Sequence, residues 1–249
     1  MKRILIYIQF LGKNYSGWQI QPNVVTVQGE LTRAVSEICG EDIELEGCSR
    51  TDAGVSAISM PVHFDTNTRI NPDSIYKAIN TRLPEDIRVL SSREVQPNFH
   101  ARFDVKNKTY EYHFYESGVR LPYIDTTSTR INGPFDYESA RLCCPYFVGT
   151  HDFSAFCSAG NSTATTVRTI FDMDLERTQN GYCLRVTGDG FLYNMVRIIA
   201  GTIIEVGQGK RDFATIPAIL DSKDRKNAGT TAEPRGLVLK EVVYEEGRF

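Results

Sequence analysis

Residues 42–65, DIELEGCSRTDAGVSAISMPVHFD, decide the reading of the fold. Residues 42–48 and 58–65 carry enough apolar and β-branched side chains to read as two strands, and SRTDAGVSA between them reads as a turn. On the N-terminal side, residues 3–10 place Ile4, Ile6, Ile8 and Phe10 on one face of an alternating strand. Thr26 is placed to cap a helix over 27–39 whose inner face carries Leu31, Ala34, Val35 and Ile38. On the C-terminal side, Asn71 as cap and Pro72 as first helical residue predict a helix over 72–81, and residues 86–92 read as a strand. The order is therefore β-α-β-β-α-β.

The second half repeats that order. Residues 107–116 read as a strand, 135–147 as a helix, and 167–176 with 181–188 as a hairpin turning at Gln179, Asn180 and Gly181. A helix near 191–206, a shorter one near 213–220 and a strand over 237–244 complete it, with residues 222–234 as a polar loop. The expected fold class is α+β, with two ferredoxin-like halves joined through a mixed, largely antiparallel sheet, helices on one side and a central cleft. Residues 1–104 form the first half and 105–249 the second.

The chain has 249 residues, 41% hydrophobic and 24% charged, which is enough to bury a core and excludes a disordered or collagenous chain. No run approaches the ~18 apolar residues of a membrane span, so no membrane association is expected. Lys2 and Arg3 before an apolar run imitate a secretion signal, but Gln9 interrupts the run and no small-residue cleavage site follows. A net charge of -3 gives no bulk attraction to nucleic acid, although a basic face is compatible with it. The six cysteines include no Cys-x-x-Cys pair and no zinc spacing, and read as reduced, buried thiols of a cytoplasmic protein.

Three segments could carry chemistry. Asp52, between Thr51 and Ala53-Gly54, suits a turn in which the carboxylate bonds nearby backbone N–H groups; it equally suits a carboxylate poised at a strand end. An aspartic-protease loop is excluded, because no second Asp loop of that kind exists. On the strand at 107–116, Tyr110, Tyr112 and Phe114 share one face, either as a buried stripe or with one ring stacking on a flat substrate. Arg197 lies within an apolar helix, on the face shared by Asn194 and Gly201, and a guanidinium there needs a partner. Any carboxylate would serve, and Asp52 is the sharper expectation.

These segments resemble, in order and over nearly the whole chain, the TruA family of tRNA pseudouridine synthases. The resemblance rests on Tyr15-Ser16-Gly17-Trp18-Gln19, Thr26-Val27-Gln28, Arg50-Thr51-Asp52-Ala53-Gly54-Val55, Leu83-Pro84-Glu85-Asp86-Ile87 and Phe99-His100-Ala101-Arg102-Phe103. It continues through Lys108 to Tyr112, Gly149 to Phe153, Arg168-Thr169-Ile170, Met195-Val196-Arg197 and Glu233 to Leu237. It implies an isomerase that converts uridine to pseudouridine in the anticodon stem-loop of tRNA, at positions 38 to 40, without cofactor or metal. It also implies a homodimer with tRNA crossing both subunits. By position in the motifs, Asp52 is the nucleophile, Tyr110 contacts the target uridine, Arg197 pairs with the Asp, and Arg50 helps hold the flipped-out nucleotide. Candidate phosphate contacts are Arg102, Lys108, Lys13, Lys210 and Arg211, with Lys106, Arg225 and Lys226 behind them.

Ser49 and Ser56 stand where the family commonly has Gly and His. That departure leaves open a divergent paralogue with another RNA target. A non-catalytic RNA-binding or chaperone protein, and an enzyme acting on a free nucleoside, are the alternatives from other classes.

Overall fold

The computed structural model describes residues 1–160 and 163–245. They form two compact units: Met1–Lys106 together with the closing strand, and Asn107–Leu237. The sequence division, at 104/105, kept the closing strand with the second half.

In the first unit, β1 (Lys2–Phe10) is followed by α1 (Val27–Cys39), β2 (Glu46–Gly47), β3 (Ser56–Thr66), α2 (Ile75–Asn80) and β4 (Ile87–Val95). The sheet order is β4-β1-β3-β2, antiparallel throughout, which is the ferredoxin-like arrangement the element order predicts. Helix α1 is bounded as its sequence demands: Thr26 Oγ1 accepts from Gly29 N at 3.2 Å, and Gly40 ends the helix in the left-handed region at φ 72°.

Two local expectations are corrected and one is extended. Strand β1 buries Ile4, Ile6, Ile8 and Phe10 on one face as expected, and on the other Leu5 is buried, Tyr7 half-buried and Gln9 exposed. It lies between β3 and β4, and its second face is covered by Val95, Phe99, Ala101 and Tyr244. The strand expected over 42–48 shrinks to Glu46–Gly47. The reason is that residues just before it bond to the helix: Ile43 N donates to Ser36 Oγ, and the Leu45 carbonyl accepts from Gln28 Nε2. Helix α2 is shorter than expected, Ile75–Asn80, and is preceded by a turn in which Asn71 Oδ1 accepts from Asp73 N and the Asn71 carbonyl accepts from Ser74 N and Ile75 N.

In the second unit, β5 (Val105–Glu116) pairs antiparallel with β9 (Gly181–Gly188), β9 with β8 (Val167–Thr178), and β8 with β7 (Gly149–Asp152). The short β6 (Thr129–Ile131) runs parallel to the end of β5. The helix expected over 135–147 is two pieces, α3 (Tyr137–Arg141) and α4 (Cys144–Phe147), with Pro145 in the first turn of the second. Helix α5 (Met195–Gly207) is buried on nearly every side, and α6 (Ile216–Ser222) follows. The expected loop at 222–234 contains one short 3-10 turn, Arg225–Asn227. β10 (Leu237–Tyr244) closes the β-α-β-β-α-β order, and its Val238 and Leu239 pair parallel with Ser56 and Ala57 of β3. The fold is α+β.

Among the described residues no helix is long and apolar enough to cross a membrane. Burial pushes the Cys143 and Cys144 thiols up to about 12, so both stay protonated at neutral pH.

The first unit carries its own pH sensitivity. His63 on β3 is buried, and its Nδ1 accepts from Ala101 N at 3.2 Å. Burial, then the charges of Arg3 and His100, push its imidazole down to about 4. An unfolded chain takes up that proton from about pH 6.5 downward, so the stability His63 contributes is complete above that value and is lost as pH falls toward 4. Urea denaturation is expected to show a loss of about 2 kcal/mol from this group between pH 7 and pH 4, and His63→Gln should flatten the profile. An equally steep profile in the variant would show that other groups are responsible.

Candidate active site

Asp52 sits in the turn that joins β2 to β3, and the turn is clamped by the segment before α1. Trp18 N donates to the Thr51 carbonyl at 3.0 Å, Gly54 N donates to the Tyr15 carbonyl at 3.3 Å, and Val55 N closes the turn on the Asp52 carbonyl at 3.1 Å. Two glycines permit this approach. A Cβ on Gly12 would lie 2.2 Å from the Val55 carbonyl oxygen. A Cβ on Gly17, whose φ is +92°, would lie 2.8 Å from that of Thr51. Ser56, one of the two departures from the family pattern, is buried and its Oγ accepts from Gly12 N at 3.0 Å. At this position the hydroxyl satisfies a backbone donor of the clamp.

The clamp is itself anchored. Tyr15 Oη donates to Asp86 Oδ1, Asn14 Nδ2 donates to Asp86 Oδ2 at 2.9 Å, and Leu11 N donates to the Asp86 carbonyl at 3.0 Å. Burial and the Asp86 carboxylate both raise the Tyr15 phenol, which therefore stays protonated. Val27 N and Gln28 N donate to the carbonyls of Gly17 and Trp18. Four of the quoted motifs, at 15–19, 26–28, 50–55 and 83–87, thus form one hydrogen-bonded frame around the Asp52 turn. Their order along the chain carries no sign that they touch. Asp52 is half-buried and Arg50 is exposed.

In the second unit, Tyr110, Tyr112 and Phe114 are all buried on one face of β5. Tyr112 Oη lies 2.9 Å from Thr129 Oγ1 and donates to the Glu233 carbonyl at 2.9 Å, and Phe114 stacks on Tyr182 at 5.2 Å. Those two are core residues, as the buried-stripe reading has it. Tyr110 meets Phe191 edge to face at 5.2 Å.

Arg197 projects from the first turn of α5. Its Nε donates to the Ala232 carbonyl at 2.8 Å and its Nη1 to Asn194 Oδ1 at 2.6 Å. Ala232 N returns a bond to the Arg197 carbonyl at 3.0 Å. Asn194 is left-handed at φ 61° and makes no side-chain cap to its own helix. Its carboxamide instead bridges Arg197 to Ser158, whose Oγ lies 3.0 Å from Nδ2. A guanidinium has no acceptor, so the amide oxygen must face Arg197 and the nitrogen Ser158. Residue spacing put Asn194 on the Arg197 face; the bridge to Ser158 has no sequence signal.

The basic candidates fare differently. Lys13 and Lys106 are exposed, while Arg102 and Lys108 are half-buried. Lys210 Nζ donates to Gln208 Oε1 at 2.8 Å, and Arg211 is tied to Glu205 at 3.2 Å and to the Asn227 carbonyl. Arg225 bonds Thr231, and Lys226 is exposed.

The sequence matches place the chain in the class of the pseudouridine synthases, an isomerase family. The family model described as tRNA pseudouridine synthase matches residues 6–104 and 143–245. A protein of Acetivibrio thermocellus named tRNA pseudouridine synthase A is 45% identical over 98% of this chain and all of its own length. One of the same name from Clostridium acetobutylicum is 42% identical over 98% of this chain and all of its own length. Among solved structures, a Cbf5-Nop10-Gar1 complex matches with a TM-score of 0.39 at 12% identity, over 96% of this chain and 50% of that one. The chain belongs to the tRNA pseudouridine synthase family.

Proposed function

We propose that this protein isomerises uridine to pseudouridine in the anticodon stem-loop of tRNA, at positions 38 to 40, with Asp52 as nucleophile. The observation that carries the reading is the Asp52 turn, framed by Gly12, Gly17 and Trp18 in a chain aligned end to end with proteins named tRNA pseudouridine synthase A. The reaction breaks the bond from uracil N1 to C1′ and forms one from C5 to C1′; C5 gives up one proton and N1 takes one up. No electrons are gained or lost and nothing is consumed.

The target base must leave the stack before C1′ or C6 can be reached, at a cost of a few kcal/mol. A carboxylate is ionised at neutral pH without a helper base, and a neighbouring guanidinium keeps it so when water is excluded. In this reading Arg197 supplies that charge, and the two bonds on its Nε and Nη1 fix the direction of the guanidinium. Tyr110 supplies the face on which the detached uracil turns, and Arg50 holds the flipped nucleotide. The protein works in the cytoplasm as a homodimer.

Purified protein incubated with unmodified tRNA transcript is expected to produce pseudouridine at positions 38 to 40, mapped by carbodiimide primer extension. Modification at other positions, or of another RNA only, would replace the target. Tight tRNA binding with no pseudouridine would point to the chaperone reading, and turnover of free uridine to the small-molecule one.

A further inference from the structure

Phe103 is 76% exposed, far outside the pattern of a chain whose phenylalanines mostly fill the core. It is also held in place. The turn that carries it, residues 100–103, is pinned from below: Phe99 and Ala101 are fully buried, Ala101 N donates to His63 Nδ1, and Tyr244 Oη donates to the Ala101 carbonyl at 2.6 Å. His100 N donates to Asp104 Oδ2 at 2.8 Å, while His100 Nδ1 accepts from Arg102 N at 3.1 Å and Phe103 N at 3.4 Å. The His100 ring lies under Phe103 with centroids 4.2 Å apart and planes 35° from parallel. The edge of His63 in turn meets His100 at 4.8 Å. The Arg102 guanidinium stands 5.9 Å from the Phe103 centroid, and the exposed Lys106 follows three residues on.

An apolar side chain placed in water on a rigid turn gains nothing from folding. A pre-stacked aromatic face with a guanidinium beside it has the chemistry that receives a nucleobase and its phosphate, because every base offers a π-face and each phosphate a charge. We propose that His100, Phe103 and Arg102 form a stacking platform for an unpaired base of the substrate RNA, separate from the target uridine, with Arg102 meeting the adjoining phosphate. The proposal deepens the RNA-modifying reading above and rests on it. The sequence marked Arg102 as a phosphate contact; the platform adds the ring beneath the base.

The test uses two substitutions at an exposed position that the core does not need. Phe103→Leu keeps the bulk and loses the π-face, and Phe103→Trp enlarges it. Binding of unmodified tRNA transcript is measured by filter retention over a range of salt, alongside the mass of the protein in solution. Phe103→Leu should weaken binding about tenfold with an unchanged salt slope, and Phe103→Trp should bind at least as tightly as the parent. Arg102→Gln should lower the salt slope by about one. Equal affinity of the Leu and parent proteins would overturn the platform. So would a halved mass in Phe103→Leu, because a second copy of the chain would then be what the ring contacts. If the parent protein itself neither binds nor modifies tRNA, the underlying reading fails rather than the platform.

Discussion

Asp52→Ala is expected to lower pseudouridine formation by about 10⁴-fold or more while leaving tRNA affinity within about twofold. The argument begins with what the turn needs from this residue. The clamp holds the turn by backbone at 51, 52 and 54: the carbonyls of Thr51 and Asp52 and the N–H of Gly54. Removing the carboxyl leaves those backbone bonds, and a melting curve recorded beside the assay separates lost chemistry from lost folding. Asp52→Asn is the sharper version. It keeps the shape and the capacity to accept a hydrogen bond, but an amide is a far weaker nucleophile than a carboxylate. Single-turnover assays with excess enzyme separate chemistry from binding. Pseudouridine formed by Asp52→Asn at more than a few per cent of the parent rate would remove Asp52 from the nucleophile's role.

Much of the fold was legible because strand and helix periods match burial over long segments. Ile4, Ile6, Ile8, Leu31, Ala34 and Val35 are all fully buried, as their spacing requires. The misreadings share a cause: tertiary partners that no local pattern encodes. The β-rich stretch at 42–48 is diverted by Ser36 and Gln28 of α1. The same holds at the site. The TDAG turn could be seen, but not that Gly12 and Gly17 exist to let the chain approach it, nor that Ser56 had a buried amide to satisfy. Phe103 shows the limit most plainly, since its sequence neighbourhood gives no sign that the ring would face water.

Gly201→Ala is expected to destabilise the protein by about 2–4 kcal/mol, against the direction that helix propensity dictates. In a free helix the change would gain about 1 kcal/mol. Here a Cβ on Gly201 would stand 1.8 Å from the Thr230 carbonyl oxygen and 3.0 Å from its carbon. Both are backbone atoms, so no rotamer change relieves the contact, and the segment 229–232 must move away from α5. That segment is bound along the helix: Gly229 N to Thr202 Oγ1 at 2.9 Å, Thr230 N to Glu205 Oε1 at 2.8 Å, and Ala232 to both the backbone and Nε of Arg197. A displacement large enough to admit a methyl group loosens the carbonyl that aims the Arg197 guanidinium. Activity measured well below the variant's melting temperature should therefore fall further than its folded fraction does, and in kcat more than in KM. Stabilisation by the substitution would mean that the loop yields freely, and the close approach of α5 to Thr230 would then hold nothing in place.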